Sequence, residues 1–126
     1  EKILAVRDRV GNDAFVGVDA TGAGQPVYES LLEAGCNAEP YTLTASSKAS
    51  LINNLALLLE ERKIVLPRPE LCPELVDEME AFEYSISEAG AVRTGAPSGM
   101  NDDCVIALGL AMAEARDPGP VEVQFV

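Results

Sequence analysis

The sequence contains no histidine and no tryptophan, and aromatic residues make up only 5% of it. Without histidine there is no Ser-His-Asp or Cys-His nucleophile system, no imidazole metal ligand and no histidine pH switch. Acid-base or metal chemistry therefore falls to carboxylates. Basic residues are scarce as well: nine Lys and Arg stand against 21 Asp and Glu, a net charge of −12 over 126 residues. That charge repels a polyanion at long range, so a DNA partner requires something local to overcome the repulsion.

Cysteine is limited to Cys36, Cys72 and Cys104, an odd number with no CxxC pair. A structural zinc site and a secreted disulfide framework are both disfavoured, and plain thiols in a reducing compartment are expected. No apolar run approaches the roughly 20 residues needed to span a bilayer. The opening EKILAVRDRV does not read as a signal peptide. These features predict a cytosolic chain. What is present is aliphatic: hydrophobic residues reach 48%, enough to build a core and to argue for one folded domain over residues 1–126.

Hydrophobic spacing gives the order of elements. Ile3, Leu4, Val6 and Val10 fit the end of a helix that begins without a cap, as though the domain started upstream. Ala14 to Asp19 is a near-continuous apolar run, the pattern of a strand buried on both faces. A Thr21-Gly22-Ala23-Gly24 turn leads into a helix over 25–34, with Val27, Leu31, Leu32 and Ala34 as its face and Gly35 as its stop. A strand over 38–43 follows, and Thr44-Ala45-Ser46-Ser47 supplies capping chemistry for a long helix over 48–62 with a core stripe of Leu51, Ile52, Leu55, Leu58 and Leu59.

A brief strand over 63–66 and an acidic helix over 71–82 come next. Residues 82–86 and 91–94 alternate as a hairpin around 87–90. After the Pro97-Ser98-Gly99 loop, Asn101-Asp102-Asp103 caps a last helix whose Val105, Leu108, Ala111 and Met112 face inward. Residues 117–126 form a tail or edge strand. Strands alternating with helices predict an α/β layered domain with at least part of the sheet parallel, in which sites form at the carboxyl ends of strands.

Three groups in this layout carry chemistry. Asp19 stands at a strand's end before a Gly-rich turn, which suits a metal-binding carboxylate and equally suits ordinary turn chemistry. Neither phosphate-loop pattern is met: Gly24 is not followed by Lys-Ser/Thr, and the third glycine of GxGxxG is missing. Asp102 and Asp103 are favoured in a helix's first turn, yet two adjacent carboxylates repel unless solvent or a cation offsets them. Lys48 near a helix start opposes the dipole and needs a compensating contact, either a phosphate or plain solvent exposure. The acids Glu70, Glu74, Asp77, Glu78, Glu80 and Glu83 read as a solvated face. This set is compatible with metal-assisted phosphodiester hydrolysis, in which carboxylates hold Mg²⁺ or Mn²⁺ and no histidine is needed.

The ordered segments VGVDATGAGQPVYESLLEAG, TASSKASLINNLALLLEERKIVLP, EMEAFEY and GAPSGMNDDCVIALGLA resemble the C-terminal nuclease domain of the large terminase subunit of tailed bacteriophages and prophages, from about Phe15 to Ala113. The resemblance implies an α/β ribonuclease-H-like fold, a mixed sheet flanked by helices. It also implies a two-metal endonuclease that cuts concatemeric viral DNA at packaging initiation and headful completion. The family's metal-binding acid before the Thr-Gly-x-Gly turn falls on Asp19. Its Asp pair falls on Asp103, as the direct ligand, and on Asp102 beside it, and Lys48 matches the family's lysine in a structural or phosphate-facing role.

Asn101 stands where family members often have histidine. The fold's first catalytic Asp belongs to an early strand that this chain does not contain, so the resemblance implies a domain lacking its first strands. The partners it implies are double-stranded DNA, an upstream packaging ATPase, the portal and the small terminase subunit, in the cytoplasm of a bacterial host. Two alternatives remain open on sequence: an inert, prophage-derived assembly domain of the same fold, and a resolvase- or transposase-type nuclease.

Overall fold

The computed structural model describes residues 2–86, 92–95, 101–113 and 121–122, with the side chains of 2–82 and 101–113. The turn expected at 87–90, the loop at 97–99 and most of the 117–126 tail lie outside the described residues. The chain divides into two compact units, the first running to Leu43 and the second starting at Thr44.

The first unit holds α1 (Lys2–Val10), β1 (Phe15–Asp19), a 3-10 turn (Gly22–Gly24), α2 (Gln25–Glu33) and β2 (Asn37–Tyr41). β1 and β2 pair in parallel from Phe15↔Asn37 to Asp19↔Tyr41, with α2 as the crossover of a βαβ unit. α2 ends as expected at Gly35, whose φ of 75° suits glycine. The N–H groups of Gly35 and Cys36 close the helix on the carbonyls of Leu32 and Leu31 at 2.9 and 3.0 Å. Val18, Leu31, Cys36 and Ala38 form the core, with Ile3, Leu4, Val16 and Tyr28 packed against it.

Two expectations change here. Only Val18 of β1 is buried, while Phe15, Val16 and Gly17 are half-covered, because β2 is its one partner among the described residues. On α2 the inward side is the buried Leu31 with the half-buried Tyr28, three residues apart. Val27, Leu32 and Ala34 are exposed: Leu32 sits about 100° around the helix from Leu31, and Val27 and Ala34 border an open groove shared with Ile3, Leu4 and Leu31.

The second unit holds α3 (Ala45–Glu60), β3 (Ile64–Val65), α4 (Pro73–Ala81), β4 (Glu83–Ile86), β5 (Val92–Gly95), α5 (Asp103–Met112) and β6 (Val121–Glu122). α3 starts three residues before the expected Lys48. Thr44 accepts from the Ser47 N–H at 3.1 Å while Ser47 Oγ accepts from the Thr44 N–H at 2.8 Å, a reciprocal capping box. Its far end closes at Glu60, with Arg62 in the left-handed region at φ 55°. The expected hairpin is present as antiparallel β4 and β5, and β6 pairs in parallel with β3. Parallel and antiparallel pairings thus both occur.

α5 packs against α3 and α4, and that double contact sets its burial. Val105, Ile106, Leu108, Gly109, Leu110 and Met112 are all buried. The expected inward Ala111 is exposed, because Asp103, Ala107 and Ala111, four residues apart, form the solvent stripe. From α3, Leu51, Ile52, Leu55 and Leu58 are buried as expected, and Leu59 is half-buried. Asn54 Nδ2 donates to the Met112 carbonyl at 3.1 Å and ties α3 to the last turn of α5.

Leu108 has no exposed surface, whereas Leu71 is 76% exposed. Leu108→Ala should cost about 2–5 kcal/mol in urea denaturation. Leu71→Ala should stay within about 0.5 kcal/mol of the parent. Equal losses would contradict this core.

Candidate functional site

Asp19 sits at the carboxyl end of β1, where a βαβ unit presents its loops. The parallel ladder runs one step further through the Ala20 N–H, which donates to the Tyr41 carbonyl at 2.9 Å. The chain then turns sharply. The Thr21 N–H donates to Asp19 Oδ1 at 2.9 Å, and Thr21 Oγ1 accepts from the Leu43 N–H at 2.9 Å, tying the turn to the chain leaving β2. Gly24 packs over the end of the strand so tightly that a Cβ there would lie 1.7 Å from the Asp19 carbonyl oxygen, so only glycine fits. The local bond is ordinary Asx-turn chemistry. It engages one oxygen of an exposed carboxylate, and Asp19 has no other partner among the described residues.

Asp102 is the N-cap of α5 by backbone position, yet its side chain makes no capping bond. Its Oδ2 instead accepts from Lys48 Nζ at 2.5 Å, and both side chains are about three-quarters covered. Lys48, in the first turns of α3, thus has the compensating contact that its position against the helix dipole calls for. Asp103 is exposed, with no hydrogen-bond or ion-pair partner among the described residues.

The bonds expected of the cap come from elsewhere. Glu78 Oε2 accepts from the Cys104 N–H at 2.7 Å and the Val105 N–H at 3.0 Å. Glu78 is 9% exposed, which corrects its reading as part of a solvated face; Glu70, Glu74, Asp77 and Glu80 do face solvent. The physical reason is its place on α4, three residues from the buried Leu75 and therefore on the same inward side. An acid interrupting an apolar stripe was the available signal, and grouping it with its acidic neighbours concealed it.

Asp19 thus belongs to the first unit, and Lys48, Glu78, Asp102 and Asp103 belong to the second. Among the described residues, no three Asp, Glu, Cys or His side chains cluster closely enough to hold a metal ion. The individual donors nevertheless fit a hard divalent cation: Asp19 and Asp103 are exposed carboxylates with open oxygens. Asp102 is committed to Lys48. Among the described residues no helix is long and apolar enough to cross a membrane, and Cys36, Cys72 and Cys104 are free thiols, with only Cys36 buried.

Residues 4–115 match the model of a family described as the terminase RNaseH-like domain. The chain is 33% identical over 114 residues to the large terminase subunits of Thermus phage G20c and Thermus virus P23-45. That alignment covers 90% of this chain and 23% of each relative, so the chain spans about a quarter of their length. Among solved structures, it is similar to the large terminase nuclease from thermophilic phage G20c with bound cobalt, at TM-score 0.76 and 30% identity over 91% of this chain and 60% of that one. The same nuclease with bound magnesium gives 0.75 and 30%, over 91% of this chain and 59% of that one. The large terminase nuclease domain of Thermus phage P74-26 gives 0.73 and 29%, over 94% and 60%. The expected ribonuclease-H-like fold is therefore the fold of this chain.

Burial, and after it the Glu78 carboxylate, push the Cys104 thiol up from 9.0 to about 11. A raised thiol pKa contributes stability that is fully present below the unfolded value of 9.0 and is lost as pH rises through about 11. In metal-free native protein at pH 9, iodoacetamide should alkylate Cys104 on the order of tenfold or more slowly than in urea, because the thiolate is the nucleophile. Peptide mapping by mass spectrometry reads the rate, and equal rates would contradict the assignment.

Proposed function

Because the chain belongs to the terminase RNaseH-like domain family, we propose that it serves as the metal-dependent endonuclease domain of a phage DNA-packaging terminase. In this reading it hydrolyses phosphodiesters of double-stranded DNA by a two-metal carboxylate mechanism. The observation that carries the proposal is Asp19, an exposed carboxylate with an open oxygen at the carboxyl end of β1; in the other unit Asp103 is separately exposed at the start of α5. Support comes from the similarity to nucleases solved with bound cobalt and magnesium. Membership of this family also favours a terminase over the resolvase or transposase alternative.

In this proposal Asp19 and Asp103 are each a ligand to Mg²⁺ or Mn²⁺, ions that when bound supply Lewis acidity, an activated water and charge neutralisation at the leaving oxygen. The chain's own residues do the positioning. The Thr21 N–H fixes one oxygen of Asp19 and so orients the other. Lys48 neutralises Asp102, so that two adjacent carboxylates do not stand uncompensated, and its role is structural before it is phosphate-facing. Asn101, exposed beside the pair, offers an amide in place of the histidine that family members often carry there.

Double-stranded DNA is the proposed substrate, with a packaging ATPase, portal and small terminase subunit as the proposed assembly, in the cytoplasm of the bacterial host. One observation favours a second reading as an inert assembly domain: within the described residues no three candidate ligands cluster. Full activity on the first reading then depends on further carboxylate ligands from a nuclease chain of the relatives' length.

Plasmid cleavage with Mg²⁺ or Mn²⁺, by this chain and by a longer chain spanning the relatives' nuclease length, tests the proposal. Asp19→Ala and Asp103→Ala should each lower cleavage by the longer chain about 100-fold or more, since even supporting residues around a metal are worth 10–100-fold. EDTA should abolish it. Undiminished cleavage by both variants would sink the site assignment, and absence of any metal affinity in the longer chain would favour the inert reading.

A further inference from the structure

An Asp at an N-cap ordinarily accepts the N–H groups two and three residues into its own helix. For α5 these are the amides of Cys104 and Val105, and both bond instead to Glu78 of α4, 26 and 27 residues earlier in the chain. The arrangement is costly, because a buried carboxylate must have its charge fully satisfied, while Asp102 already stands at the cap and could do the work from a less buried, local position. Capping alone does not explain a second acid.

The consequence lies at the two residues that are relieved. Asp102, with no amide to satisfy, turns its Oδ2 to Lys48. Asp103, next in sequence and first on the solvent stripe of α5, is left with neither an amide nor a cation among the described residues. We propose that Glu78 is a positioning residue: by capping α5 in place of Asp102, it commits Asp102 to Lys48 and leaves the Asp103 carboxylate open for a divalent cation. The inference rests on the metal-binding role proposed for Asp103. Without Glu78, the unsatisfied Cys104 and Val105 amides draw Asp102 back to the cap, Lys48 loses its counter-ion, and Asp103 becomes the adjacent uncommitted carboxylate for that ammonium. A lysine there competes with the cation.

The test uses Glu78→Gln, which keeps an accepting oxygen, and Glu78→Ala, which does not. Mg²⁺ is titrated into this chain while the Asp103 amide signal is followed by NMR, and the Lys48 ammonium signal is recorded before metal is added. The expected result for Glu78→Ala is an Mg²⁺ affinity about 10–100-fold weaker, the range for residues that orient a ligand, together with a displaced Lys48 signal in the metal-free protein. Glu78→Gln should retain most of the affinity and an undisplaced Lys48. A role in folding alone would move neither the Lys48 signal nor the affinity of a chain that remains folded.

If Glu78→Ala does not fold, Glu78→Asp, whose carboxylate falls one methylene short, takes its place with the same expectation. A folded Glu78→Ala or Glu78→Asp variant with parental Mg²⁺ affinity, where Asp103→Ala abolishes binding, overturns the positioning role and leaves the metal site standing. Unchanged Mg²⁺ affinity in Asp103→Ala overturns the metal reading instead. The Lys48 signal then judges the release of Asp102 by itself: displacement in Glu78→Ala supports it, and no displacement overturns it.

Discussion

A carboxylate is tolerated in a protein interior only where its lone pairs and charge are met, and Glu78 meets that condition through the amino end of α5. Two backbone N–H groups donate to its Oε2, at the positive end of the helix dipole. The contact joins α4 to α5 at the residues that follow the Asp pair, so α5 is positioned from two sides. Its apolar faces are held by α3 and α4, and its first turn is held by Glu78. The charged arrangement above it follows. With the first-turn amides satisfied, Asp102 is available to Lys48, and the ion pair gives α3 a second attachment to α5, at the opposite end from the bond between Asn54 and Met112.

The first unit solves a similar problem without charge. The turn after β1 must bring the chain back over the strand's last carbonyl, and Gly24 permits an approach that no side chain would allow. Thr21 then serves twice, its N–H on Asp19 and its Oγ1 on the Leu43 N–H, so the parallel pair and the turn hold each other. A short βαβ unit with a small core gains from such bonds, because each satisfied backbone group at the strand ends removes a desolvation cost that packing would otherwise have to offset. The same bonds fix the direction in which Asp19 leaves the strand.

Much of this was legible in the sequence, for a definable reason. Apolar spacing reports which side of an element faces a core, and caps and stops are local chemistry. The order of helices and strands, the stop at Gly35 and the core stripe of α3 from Leu51 to Leu58 all depended on neighbours within a few residues. What stayed hidden was non-local. Nothing near Glu78 in sequence reveals that its partner amides lie 26 residues further on. Asp102 and Lys48 lie 54 residues apart, so their ion pair follows only from the fold. Ala111 follows the same logic: alanine suits either side of a helix, and the exposed spacing of Asp103, Ala107 and Ala111 emerges only once α3 and α4 claim the other faces.

The net charge of −12 takes on a different meaning once the acids are sorted by position. Charges separated by more than a Debye length, about 8 Å at physiological ionic strength, are largely screened, so the exposed acids of α4 act on a distant polyanion far less than a bare sum implies. At contact distance only local groups count, and there the sequence's scarcity of basic residues is decisive. Lys48 is already spent on Asp102, and it cannot neutralise a phosphate without leaving a half-buried carboxylate unpaired. For the proposed function, Lys48 is therefore not the group that meets phosphate beside Asp103, and bound divalent cations are the local source of positive charge there. Removing the metal would then weaken DNA binding and hydrolysis together, since the same ions would neutralise the carboxylates and supply the positive charge that phosphate requires.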